Sequence, residues 1–339
     1  MEAAYLKYLL QFKRPSGTSR GVLLDKETFI LTISEDGRKG TGECAIFRGL
    51  SFDDRPDYEE KLNWLCQNIN EDITFLKEEL IEFPSIWFGY EQAILNLKHG
   101  SRLYFPSEFT EEKSAITING LIWMGEIGYM EEQIQDKLEK GFHCIKLKIG
   151  VDWKSEYIIL QKLRGKFSKD QLELRVDANG GFSKEEAVTV LQQLADLHIH
   201  SIEQPIKAGN WDDMAELCAK TPTPIALDEE LIGIIDPEEK KKLLEKIKPQ
   251  YIILKPALVG GFSGSDEWIS LAENQNIGWW ITSALESNIG LNAIAQYTFT
   301  KKNPMPQGLG TGALFVNNFE SDLELRNELL WFKNISEKS

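Results

Sequence analysis

Five charged residues carry the chemistry in this sequence. Lys148, Asp177, Glu203, Asp228 and Lys255 each sit in or directly after a short apolar run: CIKLKIG, LELRVDANG, IHSIEQP, PIALDEE and YIILKPALVGG. The order is base, acid, acid, acid, base, at intervals of 29, 26, 25 and 27 residues. Charged side chains in apolar surroundings are rare unless paired or bound to metal. Three carboxylates brought together repel one another without a cation, and hard oxygen donors suit Mg²⁺, with Mn²⁺ as the alternative. Flanking lysines supply proton chemistry: beside a metal and partly desolvated, a lysine pKa should fall, which makes the amine a usable base. The set points to removal of a proton from the carbon next to a carboxylate, with the ion offsetting the charge that develops. Taken singly, each residue reads as a solvated strand-end charge, and K-x-K or E-Q-P alone is a weak signal. What discriminates is five suitable types, in order and in phase.

The elements that must position them follow from the same intervals. A βα unit of a TIM-like barrel has about 30 residues, so each of the five falls near the C-terminal end of a successive strand, the face where such barrels build their sites. Lys146 and Lys148 are two apart on one strand and share a face; the same rule puts Arg175 on the side of Asp177 and Asn179. From about residue 115 short apolar runs alternate with amphipathic stretches. These are SAITING, a helix over 124–140, CIKLKIG, a helix over 154–167, LELRVDANGGF and a helix over 184–196, followed by SIEQPI, PIALDEEL, YIILKPALVGGF and GWWITSALES. The fold expected is α/β, a (β/α)₈-type barrel over residues 113–314. The first 112 residues read as an α+β unit. They contain strands with turns at Pro15–Gly17 and Asp36–Gly37, then helices over 58–79 and 85–98. The tail from Asn317 reads as charged and partly helical.

Totals set the outer limits. The chain has 339 residues, 42% hydrophobic and 27% charged, with a net charge of −15. That acidity argues against a nucleic-acid groove. No apolar run is long enough to cross a bilayer. The opening stretch MEAAYLKYLLQFKRP lacks a signal-peptide layout, so a cytoplasmic protein is expected. Cys44, Cys66, Cys144 and Cys218 are scattered, which suggests neither a zinc site nor a disulfide framework. The partner expected is a small-molecule carboxylate, with no nucleic acid and no membrane; whether chains pair into a homo-oligomer is left open by the pattern.

At these residues the chain resembles the enolase superfamily, in its muconate-lactonising subgroup, over nearly its whole length. The resemblance implies an N-terminal capping domain over 1–112, completed by 315–339. It makes Asp177, Glu203 and Asp228 the metal ligands, although Asp228-Glu229-Glu230 departs from the commoner Asp-Glu-Ser ending and leaves its neighbours in play. It makes Lys148 an acid/base residue with Lys146 as companion, and Lys255 the lysine across the pocket. Three stretches narrow the likeness to carboxylate dehydration: Arg14–Gly21, which resembles a substrate-covering loop of the cap; Arg175 with Val176-Asp177-Ala178-Asn179; and Ile281–Leu291 followed by Gly308–Gly312. From these, Arg20, Arg175, Asn179 and Ser283 are the substrate-binding candidates. Gly310–Phe315 carries no carboxylate, unlike the Asp-x-Asp pair with which related dipeptide epimerases hold an amino group. A racemase of N-acylamino acids, a muconate-type cycloisomerase and a non-catalytic metabolite-binding barrel are the rival expectations.

Overall fold

The computed structural model describes residues 1–18, 21–123 and 125–333. Strand β1 (Glu2–Thr18) pairs antiparallel with β2 (Gly21–Glu35), and β2 with β3 (Arg38–Cys44). Asp36 and Gly37 join β2 to β3 with φ of 49° and 77°, the left-handed pair that a two-residue hairpin turn of the right twist requires. The turn expected at Pro15–Gly17 is absent. β1 continues through it, and Ser16–Thr18 pair with Leu23–Gly21 after a register shift that follows Gln11. Proline has no N–H to give to a ladder, and an irregular stretch of strand is where one is tolerated.

Three helices follow: α1 (Tyr58–Gln67), α2 (Ile73–Glu79) and α3 (Pro84–His99). The single helix expected over 58–79 is broken because polar side chains cap both sides of the gap. Asn68 donates through Nδ2 to the Trp64 carbonyl at 2.7 Å, and Asp72 accepts the Thr74 N–H at 2.8 Å as N-cap of α2. α3 lies on the sheet so closely that a Cβ on Gly42 would stand 2.0 Å from the Gly89 carbonyl oxygen.

The SAITING run divides. Its first half, β4 (Ala115–Thr117), pairs with the last described strand, and β5 (Gly120–Ile122), which begins at the run's final residue, enters the large sheet. Strand and helix then alternate: α4 (Ile127–Glu139), β6 (Cys144–Lys148), α5 (Trp153–Lys166), β7 (Glu173–Asp177), α6 (Lys184–Asp196), β8 (Ser201–Glu203) and α7 (Trp211–Lys220). The series continues with β9 (Ile225–Leu227), α8 (Pro237–Ile247), β10 (Tyr251–Leu254), α9 (Gly261–Glu273), β11 (Gly278–Ile281) and α10 (Asn288–Thr300). Strands β5 to β11 form one seven-stranded parallel sheet in sequence order. The consecutive residues Gln307 and Gly308 lie between its two edges, one bonding the chain that leads into β5 and the other bonding β11. Gln307 N–H donates to Thr117 O and Asn119 N–H to Gln307 O, each at 2.9 Å, while Gly308 N–H donates to Ile281 O at 2.8 Å.

The tail corrects another expectation. It forms β12 (Leu323–Arg326) and β13 (Leu329–Phe332), a hairpin turning at Asn327 (φ 56°) and pairing onto β4. Alternating burial along β13, with Leu330 and Phe332 inward, gives the period of a strand against a core. Apolar side chains on the sheet and its helices make one continuous core, and β2, β3 and α1–α3 enclose a second around Phe29, Leu31, Tyr58 and Ile86. No described helix is long and apolar enough to cross a membrane.

Asp53 shows how the antiparallel unit holds charge. It is fully buried and accepts from Ser85 N–H (2.9 Å) and Ser85 Oγ–H (2.6 Å) at the start of α3. Burial outweighs these bonds and lifts its pKa from 3.8 to about 6. A folded-state carboxyl that keeps its proton to higher pH than the unfolded chain loses stability as pH rises, here between about pH 4 and 6. Asp53→Asn should remove that slope. Urea unfolding of both proteins across this range should show the parent losing ground to the variant as pH rises; a pH-independent difference would contradict the assignment.

Candidate active site

The parallel register delivers the five charged residues to one end of the sheet. Lys148 and Asp177 end β6 and β7 and are register partners; Glu203 ends β8 and is the partner of Asp177. Asp228 directly follows β9 and Lys255 directly follows β10. Asp177, Glu203 and Asp228 are at most 2% exposed.

Each acid meets a lysine. Lys146 Nζ donates to Glu203 Oε2 at 2.8 Å and lies 3.7 Å from Asp177 Oδ2. Lys148 Nζ donates to Asp177 Oδ2 at 3.0 Å and to Asn179 Oδ1 at 2.7 Å. Lys255 is ion-paired with Asp228. Burial opposes ionisation of Asp177, yet Lys148, Lys146 and Lys255 outweigh it and hold its pKa well below the usual carboxylate range. Glu203 goes the other way: burial raises it, Asp177 and Asp228 add to the rise, and Lys146 only partly offsets them. Burial lowers Lys146 and Lys255, but the carboxylates facing them dominate and move both upward.

As these side chains stand, no group of three His, Cys, Asp or Glu among the described residues is arranged to hold an ion. Lysine nitrogens stand against their oxygens instead. The residues nevertheless fit a divalent cation. Glu203 Oε1 is buried with no hydrogen-bond partner among the described residues, Asp177 and Asp228 add to the burial that opposes ionisation of Glu203, and every donor is a hard oxygen.

Two polar side chains set the turn after β9. Gln204, held at φ 38°, accepts through Oε1 from the N–H groups of Asp228 and Glu230, both at 3.2 Å, and donates through Nε2 to Glu230 Oε2 at 2.9 Å. The other Glu230 oxygen accepts from Gly209 N–H, and Glu229 Oε1 accepts from Asn179 Nδ2 at 3.0 Å. Of the three acids in Asp228-Glu229-Glu230, Asp228 is thus the one ion-paired with Lys255.

The mouth opens into a cleft with about 710 Å³ of empty space continuous with solvent. Lys146, Lys148, Asp177, Asn179, Lys255 and Ser283 all line it. Arg175 does not. It faces inward, as the period-two rule requires, but one pleat below Asp177. There its fully buried guanidinium donates to Glu173 Oε1 (2.7 Å) and Pro306 O (2.9 Å) and stacks over Trp280. Arg175 is a core cation, and its assignment to substrate is withdrawn. Arg20 lies outside the described residues. Missed by sequence reasoning were the apolar wall of Phe47, Leu50 and Trp123, and Thr311, whose hydroxyl bonds Ser283 Oγ at 2.6 Å. Trp123 directly follows β5 and could have been found by asking what closes that strand; Phe47 and Leu50 lie in an irregular stretch with no periodic signal.

Residues 129–329 match the enolase C-terminal domain-like family, and the chain belongs to that family. It is 45% identical to o-succinylbenzoate synthase of Desulfotalea psychrophila, across 97% of this chain and 98% of that one. The crystal structure of MenC from the same organism superposes with a TM-score of 0.87 at 41% identity, covering 98% and 99% of the two chains. Muconate lactonizing enzyme from Pseudomonas putida shares the fold, with a TM-score of 0.78 at 21% identity over 97% of this chain and 93% of that one. A divalent metal is typical of this superfamily.

Gln204 supports a direct test of the turn. Gln204→Leu leaves two buried N–H groups and Glu230 without their partner, at about 1–3 kcal/mol for each unsatisfied group. Urea unfolding should show a loss of at least about 2 kcal/mol; parent-like stability would mean that the turn is held by something else.

Proposed function

We propose that this chain is an o-succinylbenzoate synthase, a lyase that dehydrates 2-succinyl-6-hydroxy-2,4-cyclohexadiene-1-carboxylate to 2-succinylbenzoate in menaquinone biosynthesis. The observation that carries the reading is the placement of Lys148 and Lys255 on separate acids of one buried cluster, Asp177 and Asp228, at the floor of a cleft with an apolar wall. The relative matching end to end has this activity in its name.

Asp177, Glu203 and Asp228 would hold the metal, and Mg²⁺ is our assignment, with Mn²⁺ equally suited to three carboxylates. Bound there, a divalent ion supplies positive charge to the substrate carboxylate while the neighbouring carbon loses its proton. Lys148, as the free amine, takes that proton, and Asn179 and Asp177 fix the direction of its Nζ. The resulting ammonium then gives the proton to the departing hydroxyl on the same face. The C–O bond breaks, a ring C=C forms, water leaves, and Lys148 returns to its starting state. Lys255, held cationic by Asp228, faces the electron-rich ring and stabilises it, in part by a cation–π contact. Lys146 orients Glu203. Ser283 and Asn179 are our candidates for the succinyl arm, together with Arg20. Phe47, Leu50 and Trp123 keep water from the reacting carbon.

The domain division we assign is a cap over 1–112 with 315–339 and a closed (β/α)₈-type barrel over 113–314. Support for closure comes from Gln307, which bonds Asn119 directly ahead of β5, and Gly308, which bonds Ile281 of β11; the two would stand as the remaining strand.

The test is incubation with the cyclohexadiene carboxylate and Mg²⁺ while the ultraviolet absorbance of the aromatic product is followed. The parent should turn over, and Lys148→Ala should lose at least about 10³-fold in kcat with an unchanged melting temperature. Retained dehydration in that variant would contradict the role of Lys148. Deuterium exchange at the α-carbon of N-acylamino acids without any dehydration would favour the racemase instead.

A further inference from the structure

The loop after β11 forms one wall of the cleft through Ser283, Ala284 and Leu285, and its conformation is not one the chain adopts freely. Leu285 is buried with φ 62°, a left-handed conformation that is strained for a non-glycine residue and persists only where neighbours impose it. Glu286 imposes it from the next position. Its side chain is fully buried, and Oε2 accepts the Ala284 N–H at 2.7 Å, closing the loop across Leu285. The other oxygen, Oε1, is buried with no hydrogen-bond partner among the described residues.

The complement comes from the antiparallel unit. Lys26, on β2, is buried, and its Nζ likewise has no hydrogen-bond partner among the described residues. The charges that act on it are Glu43 and Glu286. Glu43, on β3, reaches the same place. It accepts from Thr28 Oγ–H at 2.8 Å, from Ser287 N–H and Gly290 N–H at 2.9 Å, and from Ser287 Oγ–H at 2.5 Å. A carboxylate from one unit thus caps α10 of the other. It can approach because residue 290 is glycine: a Cβ there would lie 2.8 Å from Glu43 Oε2.

We propose that Glu286 is a positioning residue for the reaction, holding Ser283–Leu285 in the shape that receives the substrate. It does not touch the reacting atoms. Its effect falls on substrate binding, because the wall it shapes lies beside the lysines rather than among them. The kinetic part of this inference rests on the dehydratase reading; the structural part does not.

The decisive comparison is between two paired variants, Lys26→Met/Glu286→Gln and Lys26→Met/Glu286→Leu. Both remove the buried charges and have similar bulk, so they should melt within a few degrees of each other. Only glutamine keeps an oxygen for the Ala284 N–H. The leucine pair should show a KM about tenfold above that of the glutamine pair, with kcat altered far less. Equal KM values would overturn the proposal. A second reading needs no variant: in the unsubstituted protein the Ala284 amide hydrogen should exchange as slowly as that of Gly308, and exchange at the rate of an open loop would overturn the proposal too. If the parent shows no dehydration at all, the dehydratase reading fails while the exchange measurement still decides the role of Glu286.

Discussion

Taking three carboxylates out of water at one point is the constraint around which this molecule is organised. Each buried charge costs several kcal/mol unless opposite charge and hydrogen bonds offset it. Here three lysines supply the offset: Lys146 on Glu203, Lys148 on Asp177, Lys255 on Asp228. The match is incomplete, since Glu203 Oε1 has no hydrogen-bond partner among the described residues and Glu203 is pushed toward its neutral form by burial and by the acids beside it. A buried carboxylate oxygen without a partner is a ligand atom available to a cation. Burial lowers the values of Lys146 and Lys255, but the carboxylates facing them move both upward; a divalent ion, by taking over the carboxylates, would loosen that hold.

The fold serves this arrangement by arithmetic. Parallel strands in register place the last residue of each beside the last residue of the next, so Lys148, Asp177 and Glu203 are consecutive register partners. Gln204 then fixes the turn that aims Asp228, using a left-handed backbone and three side-chain hydrogen bonds to residues 228–230. The antiparallel unit contributes differently. It lays Phe47 and Leu50 along the cleft and, through Glu43, reaches Ser287 and the helix that follow β11.

How much of this could be read from sequence depended on whether a signal was periodic. The five charged residues repeat with the βα unit, and that interval alone assigns them to one mouth. Alternation along β6 and β7 gave the facing of Lys146 and Arg175 correctly, but not the level at which each side chain ends. Arg175 sits one pleat deeper and is drawn to Glu173 and the Pro306 carbonyl. Where local pattern and tertiary pairing competed, pairing decided. SAITING is one apolar run, yet β4 answers to β13 and β5 to β6; the charged tail looked helical, yet its apolar residues needed a sheet edge. Contacts between distant segments, such as Glu43 with Ser287, leave no local trace. They depend on a glycine at 290 whose reason is visible only when the carboxylate is beside it.

Diffraction from crystals soaked in Mn²⁺, recorded at the manganese absorption edge, tests the central claim most directly. The account predicts a single strong anomalous peak bonded to oxygens of Asp177, Glu203 and Asp228, with Lys146 displaced from Glu203 and the amines of Lys148 and Lys255 left facing each other across the cleft. No peak at that position, with the three lysine–carboxylate pairs intact in saturating metal, would contradict it.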